Sequence, residues 1–316
     1  MAMPLVETKN LKKYFKTGAG MLHAVEDVNL KIMPGKTLGV VGESGCGKST
    51  LGRTILRLQP ATSGEVLYNG ENILKYKGKD MQKIHLNMQM VFQDPYSSLD
   101  PRMSVHNLIA EPVQVCGLLK TKAEINEHVR EIMDMCGLPA DQANQFPHEL
   151  DGGLRQRVGL ARAMAVSPKF IVCDEPVSAL DVSIQAQILN LLMDLQEQRE
   201  LSYMFITHDL CVVKHISDEI MVMYMGQVVE HAKTAELFAN PVHPYTKALL
   251  HAVPTIDLSK RNREGFMLRG EVTSPINPAP GCRFAPRCPY ATDKCKENVC
   301  LKEVSPDHFV ACSLCD

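Results

Sequence analysis

A nine-residue run at residues 42–50, GESGCGKST, constrains this chain more than any other part of its sequence. It fits the pattern G-x-x-x-x-G-K-[ST], in which glycines let consecutive backbone N–H groups point at a bound phosphate. An apolar run at 36–41 precedes it, and residues 51–58 follow with helical spacing. The order of strand, loop and helix predicts a nucleotide-binding fold. In it, Lys48 would reach the β- and γ-phosphates and the Ser49 hydroxyl would bind Mg²⁺.

Length and charge restrict the class of protein. The 316 residues suffice for two domains, or for one large domain with an appendage. Lys and Arg number 34 against 36 Asp and Glu, and 34 − 36 = −2, so we expect no nucleic-acid partner. We find neither an apolar stretch of membrane-spanning length nor a secretory signal at the N-terminus. We therefore expect a cytosolic protein that can still dock on a membrane protein.

Two further apolar runs end in residues suited to ATP hydrolysis. The run at 170–173 leads into adjacent carboxylates, of which Asp174 can support Mg²⁺ and Glu175 can polarise an attacking water. The run at 203–206 leads to His208, which can donate a hydrogen bond to a γ-phosphate. Together with the phosphate loop, these strand ends predict an ATP hydrolase.

The remaining patterns outline two subdomains. Alternation at residues 4–9 and 24–33 predicts half-buried strands, and residues 64–70 suit a strand bounded by turns. From about 105 to 150 the pattern is helical, which indicates a helical insert between core strands. The aromatic pair at 14–15 could stack on a nucleobase, and ordinary core packing is the alternative.

In their order along the chain, these motifs resemble the ATP-binding subunits of ABC transporters over roughly residues 4–250. The resemblance implies two ATPase subunits that sandwich two ATP molecules head to tail. Each site combines the phosphate loop of one chain with the signature helix of the other. In this family Gln93 would sense Mg²⁺ and the lytic water, Glu175 would be the general base, and His208 would contact the γ-phosphate.

The resemblance also assigns the binding residues. Phe15 is the first choice for stacking on the base and Tyr14 the second, and the implied Mg²⁺ ligands are Ser49, Gln93 and Asp174. The remaining expected nucleotide-binding residues are Gly42, Ser44, Gly45, Cys46, Gly47, Lys48, Thr50, Asp151, Gly152 and Gly153.

The implied fold is α/β: an ABC-type P-loop ATPase with a RecA-like core around a mixed sheet, an antiparallel β-subdomain and an inserted helical subdomain at about 95–165. A small cysteine-rich C-terminal extension completes it. We expect the ATPase domain to span 1–250 and the extension 251–316, with residues 93–105 meeting the membrane subunits.

A narrower resemblance concerns the cargo. Residues 92–102, 240–246 (NPVHPYT) and 281–289 (GCRFAPRCP) resemble ATPases of dipeptide and oligopeptide importers. This implies peripheral attachment to the cytoplasmic face of the membrane, two integral permease subunits and, indirectly, an extracytoplasmic substrate-binding protein. Nickel or another small solute is an alternative cargo. Alternatives of other classes are a soluble ABC-type ATPase acting on ribosomes or DNA, and a nucleotide-binding regulator without turnover.

The signature motif departs from the family pattern. The usual Leu-Ser-Gly-Gly-Gln appears as LDGGL at residues 150–154, which puts Asp151 where a serine would face the partner's γ-phosphate. Aspartate caps a helix as well as serine does, so the fold should be unaffected. Facing a triphosphate, however, it adds repulsion on the order of 3 kcal/mol per charge pair at about 5 Å and a dielectric near 20. We therefore expect an asymmetric heterodimer with a second, non-identical ATPase; a symmetric pair with two working sites is the alternative.

Six of the eleven cysteines lie between residues 282 and 315. A disulfide framework is not expected in a cytosolic chain. Four wide-spaced thiols, Cys282, Cys288, Cys295 and Cys312, suit a [4Fe–4S] cluster, which the importer resemblance also favours. The lone C-x₂-C at 312–315 keeps zinc as an alternative, and free thiols are a third. Cys300 and Cys315 have no assigned role.

Overall fold

The computed structural model describes residues 3–252, 274–297 and 299–315. In these ranges two sheets are built from strands β1 Val6–Thr17, β2 Gly20–Ile32, β3 Thr37–Val41, β4 Ser63–Tyr68, β5 Glu71–Asn72, β6 Met88–Val91, β7 Phe170–Asp174, β8 Ser202–Ile206, β9 Glu219–Tyr224, β10 Gln227–Lys233, β11 Lys302–Ser305 and β12 His308–Val310. The α-helices are α1 Lys48–Ile55, α2 Gly78–Asn87, α3 Pro95–Ser98, α4 Val105–Val115, α5 Lys122–Met135, α6 Gly152–Met164, α7 Val182–Arg199, α8 Leu210–Ile216, α9 Thr234–Ala239 and α10 Pro244–His251.

The larger sheet has eight strands in the order β11-β12-β10-β9-β3-β8-β7-β6. Its central strands β9, β3, β8, β7 and β6 run parallel, and β3, β7 and β8 are buried along their whole length. Such continuous apolar runs are typical of parallel strands covered on both faces. Because parallel strands end at the same edge, the loops after β3, β7 and β8 meet there.

The second sheet is antiparallel, in the order β2-β1-β4-β5. Its longest strands, β1 and β2, pair over nearly their whole length, with irregularities in register near Leu11 and Lys13. Apolar side chains of this sheet join the buried cluster that also contains α1 and one face of the larger sheet. The expected mixed core sheet and antiparallel β-subdomain are therefore present.

The helical insert lies between β6 and β7. Its helix α5 begins at a capping box, in which the Thr121 hydroxyl accepts from the Glu124 N–H and the Glu124 carboxylate accepts from the Thr121 N–H. Helices α4, α5 and α6 bury their apolar faces in one cluster with β7 and β8. The helical pattern in the sequence thus gives a subdomain that packs on the ATPase core.

The described part of the C-terminal extension docks on the ATPase core. Strand β12 pairs with β10, with His231 opposite Phe309, so the extension continues the core sheet. Phe284 and Val310 are buried, and Phe284 packs in a cluster with β9 and α10. The extension is therefore stabilised by docking on the ATPase core, which the sequence of the segment taken alone did not indicate.

Within the described ranges, the helices are all too short or too polar to cross a bilayer.

Candidate active site

The phosphate loop joins the end of β3 to the start of α1. Gly47, the residue before α1, has a φ of 105°, and a side chain there would place its Cβ 2.1 Å from the carbonyl oxygen of Ala24. Glycine is required at this position for both reasons. The Lys48 ammonium donates to the carbonyl oxygens of Gly42 and Glu43 at 2.8 and 3.0 Å. The loop is thus closed around its own lysine, beside the N-terminus of a helix.

A hydrogen bond connects the start of α1 to the end of β7. The Ser49 hydroxyl donates to Asp174 Oδ1 at 2.6 Å, and Arg53 Nη2 lies 3.5 Å from Asp174 Oδ2. Burial raises the pKa of Asp174, whereas Ser49 and Arg53 oppose that rise. Hydroxyl and carboxylate oxygens are ligands that suit Mg²⁺. This pair could hold the ion at the phosphate loop.

Glu175 is the centre of a three-residue cluster. Its Oε2 accepts a hydrogen bond of 2.9 Å from the Gln93 amide, and its Oε1 lies 3.4 Å from His208 Nδ1. Glu175 has a φ of 47°, and its N–H donates to the carbonyl of Ile206. A left-handed backbone in a glutamate is costly and is held in place by the surrounding structure. Three residues that follow three separate strands, β6, β7 and β8, therefore converge.

These residues line one cleft of about 500 Å³. Its lining includes Ser44, Gly45, Gly47, Lys48, Ser49, Thr50, Gln93, Glu175, His208, Phe15, Leu22, His23, Ala24, Gly226 and Pro275. Cys46 lies in the same loop, but its side chain is buried in the core beneath, and burial raises the pKa of its thiol. The cleft brings the strand-end cluster to the phosphate loop.

The two aromatic candidates are placed differently. Phe15 lines the cleft, and the Lys13 ammonium lies 4.6 Å from the centre of its ring. Tyr14 stacks on His23 at 4.0 Å, and its hydroxyl donates to Glu26 at 2.6 Å. The structure therefore places Phe15 at the cleft and gives Tyr14 a supporting position behind His23.

Parts of this chain match two known protein families. A family profile described as "ABC transporter" matches residues 25–178, and a second, "Oligopeptide/dipeptide transporter, C-terminal region", matches residues 229–295. The oligopeptide transport ATP-binding protein OppF of Bacillus subtilis is 49% identical, over 99% of this chain and 97% of its own. The oligopeptide transport ATP-binding protein AppF of the same organism is 47% identical over 98% and 97%.

This chain belongs to the ABC transporter ATP-binding family. The ABC ATPases bind and hydrolyse ATP with Mg²⁺, and the expected fold and activity class are thereby confirmed.

Solved ABC cassettes have the same architecture. The cassette cbiO1 from Clostridium perfringens superposes with a TM-score of 0.67 at 26% identity, covering 75% of this chain and 92% of that one. The cassette MJ0796, in a dimeric post-hydrolysis state with ADP and Pi, gives a TM-score of 0.66 at 30% identity, over 72% and 98%.

The ABC signature segment lies away from the cleft formed by this chain's own phosphate loop. Asp151 precedes α6, and its Oδ1 accepts from the Leu154 N–H at 2.8 Å, which confirms it as an N-cap. Gly153 packs against α7, since a Cβ on it would lie 2.7 Å from Ile184 Cγ2. Asp151, Gly152 and Gly153 are absent from the described lining of the cleft.

The four cysteines assigned to an iron–sulfur cluster lie in one small unit. The Cys282 N–H donates to the Cys295 carbonyl at 2.8 Å. Burial, and then its neighbours Cys295 and Cys312, raise the pKa of Cys282 to about 11. Burial opposes ionisation of Cys295, but hydrogen bonds from Ser313 and Thr292 outweigh it and lower its pKa. Across the described residues, however, we find no group of three or more His, Cys, Asp or Glu side chains arranged to hold a metal ion. The geometry therefore does not support the predicted cluster, nor the zinc alternative.

Sequence reasoning missed several residues at or near the site. His23 lines the cleft from β2, and its Nδ1 lies 2.6 Å from Glu26 Oε2. Arg283 and Arg287 reach the same region from the C-terminal extension. The two arginines lie in the run GCRFAPRCP, in which the sequence suggested a role only for the cysteines, whereas His23 belongs to no sequence motif.

Proposed function

We propose that this chain is the ATP-hydrolysing subunit that powers import of di- and oligopeptides through a membrane ABC transporter. The observation that carries the proposal is a pair of contacts of the Glu175 carboxylate, which accepts a hydrogen bond of 2.9 Å from Gln93 and lies 3.4 Å from His208. It occurs in a chain whose C-terminal part matches the oligopeptide/dipeptide transporter profile. Hydrolytic chemistry and the importer-type extension are thus combined in one polypeptide.

Each residue of the cleft has a separate role in the proposed hydrolysis. Glu175 orients and polarises the attacking water and accepts its proton, while Gln93 and His208 fix the carboxylate in position. His208 can also reach the γ-phosphate. Phosphates are held by Lys48 and by the N–H groups of the loop. Mg²⁺, which neutralises phosphate charge, would be held by Ser49, Gln93 and Asp174, of which Ser49 and Asp174 are joined by a hydrogen bond.

The assembly is proposed to contain a second, non-identical ATPase, two integral permease subunits and, indirectly, an extracytoplasmic substrate-binding protein. The chain then lies peripherally on the cytoplasmic face of the membrane. Tyr96, on α3 and about half exposed, is in the segment proposed to meet the permeases. Asp151, which lies outside this chain's own cleft, faces the partner's γ-phosphate and weakens that second site.

The test is native mass spectrometry of the tagged chain, purified in detergent from its own membranes. We expect two integral subunits and a second, different ATPase. A homodimer, or soluble partners alone, would contradict the importer and favour an ATPase acting elsewhere. Uptake assays on a deletion strain identify the cargo: loss of labelled dipeptide uptake supports peptides, and loss of nickel uptake alone supports the nickel alternative.

A [4Fe–4S] cluster on Cys282, Cys288, Cys295 and Cys312 remains a separate proposal, with zinc as its alternative. It rests on the spacing of the four thiols in the sequence and on their position in one small unit, although the described side chains are not arranged as a metal site in this structure. The test is iron and acid-labile sulfide analysis of anaerobically purified protein, with zinc measured in the same sample. Absence of iron and sulfide would refute the cluster.

A further inference from the structure

One short segment of the C-terminal extension, residues 282–288, contacts residues that adjoin the nucleotide cleft. Two of its side chains, Arg283 and Arg287, are almost completely buried, with 6% and 7% of their side-chain surfaces exposed. Buried arginines are rare and need anionic partners. Their partners lie more than 240 residues earlier in the chain, at the phosphate loop and at the hairpin formed by β1 and β2.

Arg287 forms a two-pronged ion pair with Glu43, the second residue of the phosphate loop. Its Nη1 lies 2.8 Å from Oε2 and its Nη2 lies 3.1 Å from Oε1. The guanidinium also lies 5.8 Å from the centre of the Tyr224 ring. The hydrogen bonds to Glu43 raise the pKa of Arg287 further above its ordinary value. This paired geometry is the strongest that arginine makes with a carboxylate.

The charge of Glu43 makes this pair relevant to ATP. Glu43 immediately follows Gly42 and precedes Ser44, which lines the cleft, and its carbonyl accepts from the Lys48 ammonium. A carboxylate at this position, if unpaired, repels a triphosphate. Arg287 cancels that charge. The Glu43 N–H also donates to the Tyr245 hydroxyl at 2.9 Å, so the backbone of Glu43 is held as well as its side chain.

Arg283 anchors the other end of the segment. It donates to Glu26 Oε2 at 3.0 Å and to the carbonyl oxygens of Met225 and His23. Burial works against the Glu26 carboxylate, but hydrogen bonds from Tyr14, His23 and Lys12 outweigh it and lower its pKa. Arg283 is thus tied to the hairpin that presents Phe15 and His23 to the cleft.

Phe284 fixes the segment between its two arginines. Its ring packs edge-on against Tyr224, with 5.3 Å between centroids, and lies 5.4 Å from Tyr245. Tyr245 is the same residue that holds the Glu43 N–H. The arginines therefore approach the site from a rigid, buried base.

We propose that Arg287 is a positioning residue of the ATP site: by neutralising and orienting Glu43 it sets the affinity of the phosphate loop for ATP. The C-terminal extension is then a required part of the nucleotide site of this chain. This inference rests on ATP binding by the phosphate loop, and it adds a role for the extension at that site.

The test is a double-mutant cycle in the full-length chain on Arg287→Ala and Glu43→Gln, with the dissociation constant of a fluorescent ATP analogue as the readout. We expect Arg287→Ala to weaken ATP binding about tenfold, because it exposes the Glu43 charge to the triphosphate. The double variant should bind more tightly than Arg287→Ala, because Glu43→Gln removes the unpaired charge. Lys296→Ala is the control, since Lys296 is an exposed residue of the extension and its ammonium pairs with Asp293 at 2.7 Å.

Recovery of ATP affinity in the double variant distinguishes a positioning role of Arg287 from a purely structural one. If Arg287 only stabilised the fold, Glu43→Gln in the Arg287→Ala background would not restore affinity, and that result would overturn the inference. Should Arg287→Ala be insoluble, Arg287→Lys provides a second variant: it keeps the charge and loses the paired geometry, so a smaller loss of affinity is expected. Unchanged affinity in a folded variant also overturns the inference. Failure of the wild-type chain to bind the analogue would instead contradict the proposed function.

Discussion

The Ser49 hydroxyl donates a 2.6 Å hydrogen bond to Asp174 Oδ1 and thereby joins the phosphate loop to the end of β7. Asp174 ends β7 and Glu175 follows it directly. The residue proposed to support Mg²⁺ and the residue proposed to activate water are thus neighbours in the chain.

Glu175→Gln should abolish most ATP hydrolysis and leave ATP binding in place. The amide can still accept the hydrogen bond from Gln93, but it cannot take a proton from water. A loss of turnover of about 10²-fold or more is expected, measured as phosphate release. Glu131→Gln, on the exposed face of α5, is the matched control. Near-normal turnover in Glu175→Gln would assign the general base to another residue.

Phe15→Ala should raise the KM for ATP with a smaller effect on kcat. Phe15 lines the cleft, and stacking of a base on an aromatic ring is worth about 1–3 kcal/mol, which corresponds to about 5-fold to 160-fold in affinity. Phe15→Tyr keeps the ring and should behave like the wild type. If Tyr14→Ala raises the KM while Phe15→Ala does not, the stacking residue is Tyr14.

Asp151→Ser should raise ATP hydrolysis by the assembled complex. Asp151 caps α6 through the Leu154 N–H at 2.8 Å, a bond that serine also makes, so the helix should be unaffected. The substitution removes a negative charge from the position proposed to face the partner's γ-phosphate. Steady-state hydrolysis by the purified complex is the measurement, with circular dichroism to verify the helix content. No change, or a fall in activity, would remove the argument for an impaired second site.

His243→Asn should make stability less sensitive to acid. His243 is buried, its Nδ1 accepts from the Tyr245 N–H, and burial lowers its pKa to about 3. The unfolded chain therefore binds a proton that the folded chain excludes, and stability falls as the pH decreases from about 6.5 towards 3. The expected slope is about 1.4 kcal/mol per pH unit for this residue.

Urea denaturation between pH 7 and 4.5 measures this slope. Asparagine keeps an acceptor for the Tyr245 N–H, so the wild type and His243→Asn should differ mainly in their dependence on pH. The exposed His251→Asn is the control and should keep the wild-type slope. Equal slopes for the wild type and His243→Asn would show that the buried imidazole does not contribute.

Local chemistry made most of the ATP site readable from the sequence. The glycines and Lys48 of the phosphate loop are fixed by the needs of an anion site, and Asp174, Glu175 and His208 stand at the ends of recognisable apolar strands. Because parallel strands end at one edge of a sheet, residues that follow such strands are expected to lie close together. Asp151 was likewise identified as a helix cap from sequence, and its hydrogen bond to Leu154 bears this out.

What the sequence alone determined is therefore the set of residues whose role depends on neighbours in the chain: the phosphate loop, the strand-end carboxylates and the helix caps. The contacts between distant segments can be seen only in the tertiary structure. The pair of Arg287 and Glu43 joins positions 244 residues apart, and β12 completes the core sheet beside β10. Such pairs have no periodic signal, because they depend on how two folded surfaces meet. For the same reason the packing of Phe284 of the cysteine-rich extension against β9 and α10 had no signal in the sequence.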